Sequence, residues 1–470
     1  MLIKGAEVSS TFPVDVRLAA GKIRELGRDL ARRSGEACFD AAGGVLLPGL
    51  HDHHLHLFAL AAAMSSLRCG PPEVRDRAAL TSALTTCTAP GEWIRGVGYF
   101  ESVAGDLDRR RLDAIVSGRP LRIQHRSGAL WMLNSAGIDR LGLDRGVDAP
   151  GVERDATGLA TGRLFQLDAW LRERLGTAEA PCLAAVGRRL ASFGVTGLTD
   201  ATPGNGSAEL RALVDAVDRG ELPQRIVVMG AAGLPDPSHA AVERGAVKVR
   251  LAEHDLPRIE ELERIVESAH LEGRPVAFHC VTRVELVLAA TVFAAVGASA
   301  GDRIEHAAVA PPDVMSLLAE LGVTVVTQPN FVRERGDAYA AHVEAADRPW
   351  LYRCRGFLEA SVPLGAGTDA PFGDPDPWLA MQAAVDRCTE SGLPLGPDER
   401  LVPERALALF TSPAESPGDP PRKIAVGSRA DLCLLDRPWS QAREQLASDC
   451  VAATIRGGSV VWERTGGESP

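Results

Sequence analysis

Leu50-His51-Asp52-His53-His54-Leu55-His56 places four of the chain's 11 histidines in seven positions. In a strand, alternate residues share a face. His54 and His56 then point one way, and His51 and His53 the other. Two imidazoles spaced in this way on one strand can chelate a divalent ion through Nε2 at ~2.0–2.1 Å. Proximity to the strand's C-terminal end favours the 54/56 pair. The bland alternative is a solvated His-rich loop.

Working outward, eight apolar runs read as strands: Leu50–His56, Val195–Ala201, Arg225–Gly230, Ala246–Leu251, Pro275–Cys280, Asp302–Ala307, Val323–Gln328 and Val362–Asp369. Helical patterns follow several of them. The clearest spans 256–271, with Pro257 expected in its first turn and Ile259, Leu262, Val266 and Ala269 on one face. Repeated βα units imply a parallel sheet. Eight units predict an α/β fold of the (β/α)₈ TIM-barrel class, with active-site residues at the C-terminal strand ends.

Several side chains stand at those ends. His279 closes the fifth run, His306 the sixth and Asp369 the eighth. A lone histidine after an apolar strand is commonly structural, and Asp369 could merely cap a loop. Two such histidines on successive βα units are harder to dismiss, and an aspartate beside a metal would ligate or accept a proton. The chain has 51 basic residues but only four lysines, Lys4, Lys22, Lys248 and Lys423. Lys248 lies inside an apolar strand, where an ammonium is costly to bury. It must reach solvent, lose its proton or be modified; an outward-facing residue or a salt bridge is the alternative.

The first two strands are separated by far more than one helix, so residues 57–194 must include an insertion, placed at about 66–190. Within it Leu121–Arg126 reads as a strand. Trp93, Trp131, Trp170 and the Asp/Arg-rich run 106–113 suggest helices around a packed core. Such an insertion forms either a lid over the catalytic face or a peripheral elaboration. At the ends, turn residues separate short apolar runs: Met1–Val8, Val14–Leu18 and Ile23–Leu26, then Ile424–Gly427, Ala430–Leu435, Val451–Ile455 and Val460–Glu463. Residues 1–48 and 424–465 are expected to form one composite β-sandwich domain beside a barrel of 49–423, and Gly466–Pro470 a disordered tail.

Composition narrows the function classes. A net charge of −11 argues against a nucleic-acid partner. No apolar stretch reaches membrane-spanning length, and Met1–Gly5 lacks the features of a secretory signal. Nine scattered cysteines without a C-x-x-C read as reduced thiols of a cytoplasmic protein. A small-molecule substrate is the expected partner; where the chain self-associates, the expectation is a homodimer.

The stretch Leu47–His56, with Pro48-Gly49, Asp52 and then His54-Leu55-His56, resembles the first-strand signature of the amidohydrolase superfamily. Arg303–His306 and Gly367–Pro371 look like its sixth- and eighth-strand motifs, and Val426–Leu432 the return to its β-sandwich. The segment Arg126–Ser135 is similar to the branch that includes N-substituted formamide deformylases. Ala129 stands where that branch often has histidine, with His125 four residues earlier. Cys280-Val281-Thr282-Arg283 replaces its frequent Gly-Asp.

The resemblance implies a metal-dependent hydrolase of carbon–nitrogen bonds in amide-like small molecules: N-formyl, N-acyl or cyclic amides. It implies one or two divalent ions, Zn²⁺ the first choice. His54, His56 and Asp369 would hold one ion, and His279 and His306 the other, with a carboxylated Lys248 between them. Asp369 would also be the proton shuttle. His125, Arg126, Trp131, Gln328 and Asn330 are the candidate substrate contacts. The alternatives on this scaffold are a deaminase of aminated heterocycles, a lyase or isomerase, and a catalytically silent binding barrel.

Overall fold

The computed structural model describes residues 1–8, 13–88, 91–147, 149–176 and 181–464; the expected tail Gly466–Pro470 lies outside them. The chain divides into two compact units, Met1–Leu57 with Leu183–Pro470, and Phe58–Cys182.

In the first unit eight strands pair in parallel and in chain order: β1 (Leu50–Leu55), β2 (Val195–Asp200), β3 (Arg225–Gly230), β4 (Val242–Arg250), β5 (Val276–Cys280), β6 (Arg303–His306), β7 (Thr324–Thr327) and β8 (Leu364–Ala366). All six residues of β1 are buried, as are all six of β2. Strands covered on both faces read as the near-continuous apolar runs seen in the sequence. The sheet closes where β8 ends: Asp369 N donates to His54 O at 2.7 Å, and His56 N to Ala370 O at 2.8 Å. Closure demands glycine at 367, because a Cβ there would lie 2.4 Å from His54 N. β8 therefore leaves the ladder earlier than the apolar run predicts.

The helix expected over 256–271 begins at Ile259 instead. Its first turn is set by Glu261, whose Oε2 accepts from Arg258 N at 3.3 Å, so Pro257 lies outside the helix. Leu262, Val266 and Ala269 are buried as their spacing predicts.

The chain ends build two four-stranded sheets. One joins Lys22–Gly27, Val14–Ala19, Leu2–Ala6 and Cys38–Asp40; the other joins Ser459–Glu463, Val451–Arg456, Leu432–Leu435 and Leu46–Pro48. Ile3, Val16, Ile23, Leu46, Leu432 and Ile455 belong to one shared core. Ile424–Gly427 is not a strand: Gly427, at φ +93°, turns the chain and its N–H donates to Ile23 O.

The second unit overturns the expectation of a helical core. It holds a six-stranded sheet, in the order Val152–Arg154, Ala160–Phe165, Leu130–Leu133, Leu121–His125, Ile94–Tyr99 and Leu67–Arg68. Trp131 sits on a strand, Trp93 just before one, and the run 106–113 yields only the short helix Arg109–Asp113. Among the described residues, no helix is long and apolar enough to cross a membrane.

Candidate metal centre

The C-terminal ends of β1, β5, β6 and β8 bring four imidazoles and a carboxylate together. His56 Nε2 lies 3.1 Å and His54 Nε2 3.5 Å from Asp369 Oδ1. One donor atom from each of these three residues falls within 4.8 Å of the others. The His306 ring is centred 4.8 Å from that of His54 and 4.4 Å from that of His279. Strand alternation settles the parity of β1. His51 and His53 face away, where their Nε2 atoms meet Thr199 Oγ1 and Ser412 Oγ, each at 3.0 Å.

Backbone strain marks both donor-bearing ends. His306 has φ +72°, Ala307 +45° and Asp369 +56°. Non-glycine residues held there cost ~1–3 kcal/mol each and persist only where surrounding contacts fix them. Asp52 supplies one such contact: its Oδ2 accepts from Thr368 Oγ1 at 2.6 Å, and its Oδ1 from the Thr368 and His54 amides at 3.1 Å. Burial pushes the Asp52 carboxyl up to about 7.

Three rings are oriented through their Nδ1 atoms. His54 Nδ1 is in short contact with Glu305 Oε2, His56 Nδ1 lies 2.8 Å from Thr202 Oγ1, and His306 Nδ1 lies 2.6 Å from Gln328 Oε1. The carboxylate and amide oxygens of Glu305 and Gln328 can only accept, which fixes the proton on Nδ1 of His54 and His306 and leaves their Nε2 lone pairs for a ligand. His306 Nε2 and Asp369 Oδ1 are buried without a hydrogen-bond partner. Buried acceptors left unsatisfied are costly; a divalent cation would satisfy them.

The protonation states agree with that fit. Burial drives His279 well below its usual value, lowers His54 and brings His306 to about 3, so these rings are neutral at neutral pH. Burial alone would raise Asp369, but the nearness of His56, His54 and His306 holds it below the carboxylate range. Glu305 behaves alike. Burial opposes its charge, and Arg303, Lys248 and His54 outweigh burial. Lys248 Nζ is buried without a hydrogen-bond partner, 3.9 Å from Glu305 Oε1. Burial lowers its ammonium to about 8, against the pull of Glu305.

The proposed substrate contacts fare differently. Gln328 is committed to His306 Nδ1. Asn330 Nδ2 donates to Thr368 O at 3.0 Å and lies 3.2 Å from Glu334 Oε1, bracing the Asp369 turn. Trp131 does not line an open wall. It is 4 % exposed in the second unit's core, with Nε1 donating to Asp168 Oδ1 at 2.9 Å and the Arg95 and Arg122 guanidinium carbons 5.3 and 5.2 Å from its ring centroid. In that unit His125 Nε2 meets Glu101 Oε2 at 3.1 Å and the Arg126 guanidinium lies over Phe100. Sequence reasoning missed Glu305 and Thr202 as the groups that aim His54 and His56. A hint existed in Arg303-Ile304-Glu305: two opposite charges on one face of a buried strand.

Comparison with known proteins agrees with this architecture. The model of a family described as the amidohydrolase family matches residues 37–462. The N-substituted formamide deformylase of Arthrobacter pascens is 26% identical over 520 aligned residues, 96% of this chain and 95% of that protein. A dihydroorotase of Geobacter sulfurreducens is 33% identical over 105 residues, 17% of this chain and 25% of that one. Two solved structures share the fold. One is an uncharacterized metal-dependent hydrolase from Pyrococcus horikoshii, with TM-score 0.74, 22% identity and coverage of 93% of this chain and 96% of that one. The other is atrazine chlorohydrolase TrzN from Arthrobacter aurescens, complexed with zinc, with TM-score 0.56, 16% identity and coverage of 98% and 95%.

Proposed function

The chain belongs to the amidohydrolase family, and on that premise we propose that it hydrolyses a carbon–nitrogen bond of an amide-like small molecule with the help of a divalent metal. The observation that carries the reading is the convergence of His54, His56 and Asp369 within 4.8 Å, with the rings of His306 and His279 beside them.

The donor set suits zinc, which takes imidazole nitrogens and carboxylate oxygens. His54, His56 and Asp369 would hold one ion, and His279 and His306 stand ready for a second. A bound ion supplies a Lewis acid and lowers the pKa of water to ~7. Asp369, kept ionised by its histidines, takes the proton of the attacking water at a carboxylate oxygen and returns it to the departing nitrogen. Gln328, Glu305 and Thr202 hold the rings still.

Lys248 is the candidate for carboxylation. Near pH 8 a substantial fraction of its amine is neutral, and that lone pair can add to CO₂, forming an N–C bond and releasing a proton. The product replaces a buried cation with an anion, for which two candidate ions would compensate. N-formyl, N-acyl and cyclic amides are the substrate classes proposed. Nine free cysteines fit a reducing cytoplasm.

The test is metal analysis of purified protein together with turnover assays on formamides, N-acyl amino acids and cyclic amides. Metal-dependent hydrolysis lost in His54→Ala is the expected result. Ammonia release from aminated heterocycles, with no amide turnover, would replace this reading by a deaminase. Protein that takes up no divalent ion would end it.

A further inference from the structure

A cavity of about 330 Å³ lies at the opposite end of the barrel from the metal centre, within the ~300–1,000 Å³ of small-molecule sites. The N-terminal ends of β2, β3 and β4 contribute Gly197, Arg225 and Glu243 to its lining. Pro48 and Leu432 of the terminal sheet and residues 413–415 and 422–424 complete it. All of these belong to the first compact unit. Barrel catalysis belongs to the C-terminal face, so the hydrolytic reading makes no use of this cavity.

The whole chain carries a net charge of −11, yet the cavity gathers the opposite sign. Arg225, Arg422, Lys423 and Arg429 line it against Glu243, Glu415 and Asp431. Asp431 is already engaged: its Oδ2 lies 3.3 Å from Arg225 Nε, and its Oδ1 accepts from Gly457 N at 2.7 Å. Arg456 stands within the field of these groups as a fifth cation. Its Nε is buried without a hydrogen-bond partner. Burial, Arg225 and Arg429 lower its pKa, and Asp431 opposes them. His51 adds no charge, because burial and the nearby Arg422 and Arg303 hold its ring well below the usual value. Five cations thus meet three carboxylates, an excess of two positive charges.

The donors are partly fixed in advance. Arg422 Nε donates to Thr411 O at 3.2 Å and its Nη2 to Gly49 O. Arg225 Nη1 donates to Ala240 O at 3.0 Å. Among the described residues, the side chains of Lys423 and Arg429 have no hydrogen-bonded or ion-paired partner, and Lys423 is one of only four lysines in the chain. Ile226, Ile424 and Leu432 supply apolar lining between the charges. Guanidinium forks and an ammonium suit phosphate oxygens. A phosphate monoester carries about −1.5 to −2 charge at pH 7, which matches the excess, whereas a single carboxylate would offset half of it.

We propose that this cavity at the base of the barrel binds a small organic phosphate, with Arg422, Lys423 and Arg429 holding the phosphate and Ile226, Ile424 and Leu432 meeting its body. The proposal stands apart from the hydrolytic reading, since it uses no residue of the metal centre.

Calorimetric titration of phenyl phosphate, benzoate and phenol into metal-loaded protein at constant ionic strength tests it. Phenyl phosphate should show a binding event that persists in His54→Ala. That event should weaken at least about tenfold when Lys423→Glu and Arg429→Glu are combined, with metal content unchanged. Benzoate should bind at least about threefold more weakly than phenyl phosphate, and phenol not at all. Absence of phenyl phosphate binding would overturn the proposal, as would binding that the double variant leaves intact. Binding lost in His54→Ala would assign the anion to the metal centre and refute the cavity. Benzoate or phenol binding as tightly as phenyl phosphate would refute the phosphate assignment. Should the double variant fail to fold, Arg429→Gln, which changes one exposed side chain, decides the matter by a loss of at least about threefold or none.

Discussion

Glu305→Gln tests whether the aim of His54 comes from the charge behind it. The carboxylate meets His54 Nδ1, accepts from Arg303 Nε at 2.5 Å, and lies 3.9 Å from Lys248 Nζ. Glutamine keeps the shape and one acceptor oxygen but removes the charge. Loss of such a partner behind a ligating histidine typically costs 10–100-fold in metal affinity, equivalent to ~1.4–2.7 kcal/mol. A second effect falls on the fold, because Arg303 and Lys248 lose the carboxylate they share. Breaking a buried ion pair costs ~3–5 kcal/mol. The lower end is expected here: Lys248, already at about 8, can shed its proton, and Arg303 retains His53 O at 2.6 Å. Competition with a chromogenic chelator reads the affinity, and urea unfolding of the stripped protein reads the stability. A folded variant whose metal affinity stays within about threefold of wild type would refute the reasoning.

Gly367→Ala should cost more than the ~1–3 kcal/mol of ordinary overpacking, because its Cβ would meet His54 N at 2.4 Å and His54 Cα at 2.8 Å, both backbone. Lowered metal content and thermal stability are the readouts, and a variant with wild-type values for both would contradict barrel closure at this glycine. Asp376 is raised to about 6 by burial, against the bonds from Ser448 Oγ and Trp378 N. The folded state thus holds this proton more tightly than the unfolded chain, whose pKa is near 3.8, so its contribution to stability falls as pH rises through 4 to 6. Asp376→Asn keeps an acceptor for the helix cap, and should gain up to ~3 kcal/mol at pH 8 while flattening the profile between pH 4 and 6; no gain at pH 8 argues against a charged, buried Asp376. Adding metal to stripped protein at one hundred times its dissociation constant should stabilise the fold by ~2.7 kcal/mol, seen as a rise in Tm that His54→Ala abolishes. Absence of any metal-dependent shift in the wild type would count against the centre itself.

The residues that converge at the barrel mouth were legible because each is announced by a local pattern. His54 and His56 share a face through the two-residue repeat of β1, and His279, His306 and Asp369 follow apolar runs long enough to be strands. What aims them was not legible, since that information is non-local. Glu305 and His54 are 251 residues apart in sequence, and Thr202 and His56 are 146 apart. Their meeting depends on a closed sheet whose register no single segment encodes. The same limit explains Trp131. An aromatic in a loop-rich insertion fits a pocket wall and a core equally well until the sheet partners Gln124 and Leu164 are known. The strand Ile94–Tyr99, interrupted by Gly96 and Gly98, carried too weak a β pattern to reveal that sheet.

This division has a physical consequence for reading such centres. A ligand type is set by one residue, but whether it ligates depends on which ring nitrogen keeps the proton and on how far burial shifts its charge. In this chain Gln328 decides the first for His306, and the packed barrel decides the second by holding it at about 3. A sequence with the same histidines but an apolar residue at 328 would show an identical motif and present His306 in either tautomer. Gln328→Leu is therefore expected to weaken metal binding by the same 10–100-fold as a lost outer partner, although no motif reading would assign that position to the metal. Unchanged metal affinity in that variant would mean that strand geometry alone orients His306.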